Sequence, residues 1–221
     1  QQNGVKVIGP LLPTVCRRFN RGFVSMQEQG RPWVTLKRAR TRSGQIANDN
    51  GSPLAITSAE QNQWSHKALR ATHDAIVVGV QTVISDDPQL TTRHADGASP
   101  LRIVLDPQLR TPSDARLITS PLAEATVLVT RSDAEQARIE ILRQRGVRVL
   151  SFPTKEGGFD LHELCLALST PADLWNGEKD GPHPLGGSFA GVSSLLIEGG
   201  SRTWQAFKKG GLVDEEVVLA G

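Results

Sequence analysis

The chain has 221 residues, with 25 Lys and Arg against 23 Asp and Glu, a formal net charge of +2. That balance excludes a strongly basic nucleic-acid binder, and 38% hydrophobic residues suffice to pack one large domain or two small ones. No apolar run approaches the roughly 20 residues of a membrane span, and the two cysteines, Cys16 and Cys165, stand too far apart for a disulfide framework, which fits a reducing compartment.

Residues 1–30 are polar and weakly periodic and read as a lead-in. Beyond them, runs of Val, Ile and Leu recur at 34–36, 75–78, 103–105, 127–129, 147–150, 195–197 and 217–219. Each is too short for a buried helix, and most are continuous rather than alternating, as in strands covered on both faces. Helical stretches lie between them. Thr57 with Glu60 opens one through about Arg70, and Ser132 with Glu135 opens another that stops at Gly146. Two more span 160–168 and 202–209. Strands alternating with helices predict an α/β domain with a largely parallel sheet. Residues 170–193 are dense in Gly and Pro and read as a long surface loop, an insert in preference to a lid.

Three stretches carry candidate chemistry. In Glu198-Gly199-Gly200-Ser201-Arg202-Thr203 a strand ends in a carboxylate and two glycines lead into a helix. This is either an ordinary strand-to-helix turn or a phosphate cradle, since glycine allows close backbone approach and the helix N-terminus is partly positive. After the strand at 75–78, Gly79 leads to Thr82 and then to Asp86-Asp87-Pro88 and Leu90-Thr91-Thr92-Arg93. The paired acids suit a sugar hydroxyl better than a metal, and are also common turn chemistry. Arg70 and Arg93 suit a phosphate by fork-like hydrogen bonding. Lys37 ends the strand at 34–36, where it faces either a cleft or the water at the sheet edge. The five histidines are scattered, and neither H-E-x-x-H nor C-x-x-C occurs, so no metal site is expected. The serine-hydrolase elbow, the P-loop and the G-x-G-x-x-G fingerprint are absent.

Taken in order, Arg31-Pro32-Trp33-Val34-Thr35-Leu36-Lys37, Leu69-Arg70-Ala71, Asp74 to Thr82, Asp86-Asp87-Pro88, Leu90 to Arg93, Arg102-Ile103-Val104-Leu105-Asp106, Ile197 to Gly200 and Gly211 to Glu215 closely resemble the riboflavin-biosynthesis pyrimidine reductase family. That family is the 5-amino-6-(5-phosphoribosylamino)uracil reductase, found as the C-terminal domain of bifunctional deaminase–reductase proteins. The resemblance implies a dihydrofolate-reductase-like three-layer α/β sandwich over residues 31–221, with a mostly parallel sheet. It also makes 1–30 the end of a deaminase domain, on the strength of Asn20-Arg21-Gly22-Phe23. The deaminase zinc motif itself does not occur in this chain.

The resemblance further implies NADPH-dependent reduction of a ribosylamino to a ribitylamino group in a cytoplasmic homodimer, without nucleic acid or membrane. Ala39, Thr82, Asp86, Gly200, Ser201, Arg202 and Thr203 would contact NADPH. Arg70, Leu90, Arg93 and Glu198 would contact the substrate. Lys37 and Glu198 would assist at C1′, and Arg131 is a candidate for the 2′-phosphate that separates NADPH from NADH. The chain departs from the family at Ser43, where an acid is usual, at Ala55, where a tryptophan is usual, and at Pro107, where a serine is frequent. By the same comparison it stops at Gly221 before the last strands of the sheet. These departures keep two alternatives open: a related reductase on another small substrate, and a non-catalytic nucleotide-binding module of the same fold.

Overall fold

The computed structural model describes residues 4, 6, 8–44, 56–119, 121, 123–155, 158–175, 183 and 185–221. Each apolar run becomes a strand, and two short strands are added to them. These are β1 (Trp33–Arg40), β2 (Ala75–Gly79), β3 (Leu101–Leu105), β4 (Thr126–Arg131), β5 (Arg148–Phe152), a small antiparallel pair β6 (Thr154–Lys155) and β7 (Gly158–Phe159), then β8 (Ser194–Glu198) and β9 (Glu215–Ala220). Apart from β6 and β7 they form one parallel sheet in the order β5-β4-β3-β2-β8-β1-β9. The helices are α1 (Pro13–Phe19), α2 (Arg21–Gln29), α3 (Ala59–Ala68), α4 (Val80–Asp86), α5 (Arg116–Thr119), α6 (Gln136–Gln144), α7 (Leu161–Ser169) and α8 (Ser201–Lys209).

Alternation along the strands splits the core in two. Ile76, Val78, Val104, Leu128 and Leu196 meet Val83 of α4 and Ile139 and Leu142 of α6 on one face. Val77, Ile103, Val127, Leu195 and Ile197 meet Leu164 and Leu168 of α7 and Phe207 of α8 on the other. Successive side chains of a strand point to opposite faces, so a sheet apolar on both must be sandwiched. The fold class expected from the sequence is the one the chain adopts. Among the described residues, no helix is long and apolar enough to cross a membrane.

Four local expectations shift. The lead-in contains two helices. Gly22 of α2 sits so close to β8 that an added Cβ would stand 2.5 Å from Ser193 Oγ, and Ser25 Oγ donates to the Arg31 carbonyl at 2.9 Å. The start signal of α3 is Ser58 with Gln61, one residue beyond Thr57 and Glu60. Gln61 N–H donates to Ser58 Oγ, and Gln61 Oε1 accepts from Ser58 N–H, at 3.1 and 3.0 Å. Gln61 Nε2 also donates to the Ala220 carbonyl of β9 at 3.0 Å, which selects this frame. Helix α6 begins after Glu135 rather than at Ser132, because a turn consumes 131–134: Ala134 N–H donates to the Arg131 carbonyl and Arg131 pairs with Asp133. In the stretch 170–193, Leu185, Phe189 and Val192 are buried in the core rather than lying on the surface, and Ala172 N–H reaches the Phe189 carbonyl at 2.8 Å.

Candidate active site

Strands β1, β2 and β8 end at one edge of the sheet, where spatial order departs from chain order. Open parallel sheets leave a crevice at such a place. Here it is a cleft of about 480 Å³. The β1–β8 register sets Lys37 level with Glu198. β1 runs on past the end of β8, paired only with β9, so Arg38 and Ala39 also reach the cleft.

Glu198 is buried, and its carboxylate is gripped by Arg70, whose Nε and Nη2 donate to the two oxygens at 3.0 and 2.8 Å. Burial pushes this carboxyl upward. The Arg70 fork, with the charge of Lys37, outweighs burial and holds it below the ordinary carboxylate value. Arg70 Nη1 donates to the Thr91 carbonyl at 3.1 Å. That bond anchors the loop in which Leu90, buried and lining the cleft, takes a left-handed φ of 54°. A leucine in that region is strained, and such strain collects at functional sites. Lys37 is half-buried, lines the cleft and makes no hydrogen bond or ion pair among the described residues.

The glycine turn is built for close approach. A Cβ on Gly199 would stand 3.4 Å from Val78 Cα, so α8 springs directly from the sheet edge. Gly200, the N-cap, has no side chain to satisfy the first turn of this nine-residue helix. Its own N–H donates to Thr82 Oγ1 at 3.2 Å, leaving the Thr82 hydroxyl hydrogen for the cleft. The free first-turn N–H groups and the helix dipole favour an anion. Ser201 lines the same wall.

The acid pair divides. Asp86, at the end of α4, is exposed and lines the cleft. Asp87 turns away, accepting from Arg116 N–H at 2.8 Å and pairing with its guanidinium. Among the described residues no group of three or more His, Cys, Asp or Glu is placed to hold a metal ion.

Four expected residues stand outside the cleft lining. Arg202 is exposed on α8. Thr203 is buried, with its Oγ1 2.7 Å from where a Cβ on Gly79 would sit, so it packs α8 on β2. Arg93 is exposed and has no partner among the described residues. Desolvation, then the charges of Arg70 and Arg116, lower its pKa, which marks a place where an added anion is favourable. Arg131 pairs with Asp133 at 3.0 Å and does not line the cleft, nor does Pro107. Ser43 bonds to Thr41 in an exposed turn at 2.8 Å, and Ala55 lies outside the described residues.

Sequence reading missed Trp204, Arg38 and His66. Trp204 is four residues past Gly200, the helical spacing that returns a side chain to the same face, and it lines the cleft. Arg38 and Lys208 stand 5.8 and 5.6 Å from its ring centroid, and both pair with Glu216. His66 is buried beside Arg70; burial, then Arg70, Arg93 and His94, push its pKa down to about 4.

The chain is similar to known proteins. A family model described as the RibD C-terminal domain matches residues 32–171. The riboflavin biosynthesis protein RibD of Aquifex aeolicus is 35% identical over 98% of this chain and 53% of its own length. The 2,5-diamino-6-ribosylamino-4(3H)-pyrimidinone 5′-phosphate reductase of Methanothermobacter thermautotrophicus is 34% identical over 84% of this chain and 75% of its own. Among solved structures, Acinetobacter baumannii RibD superposes with a TM-score of 0.77 at 25% identity, over all of this chain and 54% of that one. The Saccharomyces riboflavin biosynthesis reductase Rib7, at 20% identity and a TM-score of 0.61, shares the fold. The chain spans about half the length of the RibD relatives it matches.

Proposed function

The chain belongs to the RibD C-terminal domain family, and from that premise we propose that it reduces 5-amino-6-(5-phosphoribosylamino)uracil to its ribitylamino product in riboflavin biosynthesis, with NADPH as reductant. The observation that carries the reading is the placement of Lys37 level with the Arg70-held Glu198 at the carboxyl edge of the sheet, beside an uncapped helix N-terminus.

The residues fit a nicotinamide dinucleotide. Gly199 and Gly200 leave room for a close backbone approach, and the first turn of α8, with Ser201 and Thr82, offers donors to a pyrophosphate. Asp86 is placed for a ribose hydroxyl, and the small side chain of Ala39 leaves the β1 wall open. The choice of NADPH over NADH follows from the resemblance in sequence. When bound, the reduced nicotinamide supplies a hydride.

The substrate's part of the reaction needs a hydride at C1′ and a proton on the imine nitrogen of the opened sugar. The Lys37 ammonium is the donor for that proton or for a neighbouring hydroxyl. Glu198, ionised and fixed by Arg70, accepts from sugar hydroxyls and orients the chain. Arg93 and the remaining Arg70 N–H suit the phosphate, and Leu90 supplies an apolar surface.

Residues 31–221 form the reductase unit in this proposal, with 1–30 as the lead-in. Dimerisation gains support from the exposed apolar side chains Leu12, Val15, Phe19 and Phe23, and a reducing cytoplasm from the free Cys16 and Cys165. The test is loss of NADPH absorbance with the deaminated phosphoribosylaminopyrimidine. Turnover is expected; NADPH binding without turnover on this substrate would favour the related reductase or the non-catalytic module.

A further inference from the structure

The lining of the cleft stops at Arg70, and behind Arg70 lies a residue with no role so far. His66, on α3 one turn earlier, is 5% exposed. Its Nε2 stands 3.4 Å from Arg70 Nη1. A guanidinium carries five N–H groups and no acceptor, and it keeps its charge in proteins. Nη1 therefore donates and Nε2 accepts. The ring is then neutral, with its one proton on Nδ1. Nδ1 is buried and has no hydrogen-bond partner among the described residues. The ring is packed edge-to-face against His94, with centroids 4.7 Å apart.

The donors of Arg70 can now be followed individually. Nε and one Nη2 hydrogen go to Glu198, and the two Nη1 hydrogens go to the Thr91 carbonyl and His66. One Nη2 hydrogen is left without a partner among the described residues, and Arg70 itself lines the cleft. With both ends of the guanidinium tied, that hydrogen has a single direction.

We propose that His66 is a positioning residue: as a neutral acceptor behind Arg70 it locks the guanidinium that holds Glu198 opposite Lys37 and presents one remaining N–H to the substrate. This rests on the reductase reading and adds to it a residue through which substrate geometry is set. The charged and titratable groups around the ring are Arg70, Arg93, His94 and Glu198. A second proton on His66 would place a donor against a donor beside Arg70 and Arg93. The role therefore requires the neutral form, in keeping with the depressed value of about 4.

The first test needs no turnover. In ¹⁵N-histidine NMR, the signal that disappears in His66→Gln belongs to His66. It should show a protonated Nδ1 and a bare Nε2 at neutral pH. A proton on Nε2, or a charged ring at neutral pH, overturns the proposal. The second test is kinetic. His66→Leu should raise KM for the pyrimidine about three- to tenfold, the range of one lost hydrogen bond, with NADPH affinity unchanged. His66→Gln, whose side-chain oxygen can accept, should recover most of the loss. A parental KM in His66→Leu, or a Gln variant no better than Leu, also overturns it. If the Leu variant does not fold, the Gln variant and the NMR signature decide. If the parent shows no turnover, the reductase reading fails, and the tautomer still decides the role of His66 toward Arg70.

Discussion

Lys37 and Glu198 occupy the same level of adjacent strands, one with no hydrogen bond or ion pair among the described residues and the other held in a fork. Their roles separate under mutation. Lys37→Ala should lower kcat by about 100-fold or more, the scale of a lost general acid, with NADPH affinity intact; a rate within threefold of the parent would remove Lys37 from the chemistry. The effect of Glu198 and of His66 on stability against pH has a definite sign. The Glu198 carboxyl is depressed in the fold, so its contribution is present above the unfolded value near 4.3 and is lost as pH falls through the folded value. His66, lowered to about 4, takes up its proton in the unfolded chain first, so stability should already decline as pH drops from about 6.5 to about 4. Urea melts across that range should show the decline, and His66→Gln should flatten it; an unchanged slope would mean that His66 is not protected. The ends of the apolar runs made Lys37 and Glu198 readable in the sequence. Their adjacency was not, because β8 inserts between β1 and β2 from far along the chain. Nor could one glycine turn assign its whole helix start to the site. Successive helical residues point about 100° apart, so Ser201 faces the cleft while Arg202 faces water and Thr203 faces β2.

At the scale of elements, the cleft depends on how closely α8 lies on β2. Gly79 has an extended backbone, φ −82° and ψ 153°, which any residue can adopt. What it lacks is space, with Thr203 Oγ1 2.7 Å from a Cβ placed there. Gly79→Ala should therefore push α8 outward, destabilise the fold by about 1–3 kcal/mol and weaken NADPH binding at the displaced helix terminus. Thr203→Ala removes the obstructing hydroxyl, so the double variant should be more stable than the sum of the two losses, as residues in contact are. Strict additivity in thermal and urea melts would show that the two do not meet. The helix starts teach the same lesson about local signals. Two overlapping frames at 57–61 both satisfy the capping pattern, and only the contact of Gln61 with β9 selects one. At 132–135 the pattern is present, and the Arg131–Asp133 pair takes it for a turn.

For the molecule as a whole, the strand sequence was legible because a sheet buried on both faces needs continuous apolar runs. What was not legible is what fastens its last strand. Among the described residues β9 is an edge strand, alternately exposed, and burial alone holds it weakly. The fastening is a charge pair between distant parts of the chain. Arg31, just before β1, donates from Nη1 and Nη2 to the two oxygens of Asp214, just before β9, at 2.7 and 2.8 Å. Asp214 also accepts from Val34 N–H at 2.8 Å, and its own N–H donates to the Val34 carbonyl at 2.9 Å. The side chains of the pair are only 10% and 8% exposed. Removing one member leaves a buried charge without its partner, which costs about 3–5 kcal/mol, a large part of the 5–15 kcal/mol that typically holds a domain together. Arg31→Ala should therefore lower the urea midpoint steeply with little change in the slope of the transition. Because β9 carries Glu216, the partner of Arg38 and Lys208 around Trp204, the loosened edge should also weaken NADPH binding at pH 7. Arg31→Lys keeps a charge but not the two-pronged geometry, and should recover only part of the loss. An unfolding free energy within about 1 kcal/mol of the parent for Arg31→Ala would mean that water reaches Asp214 as readily as Arg31 does, and that β9 is held by its ladder with β1 alone.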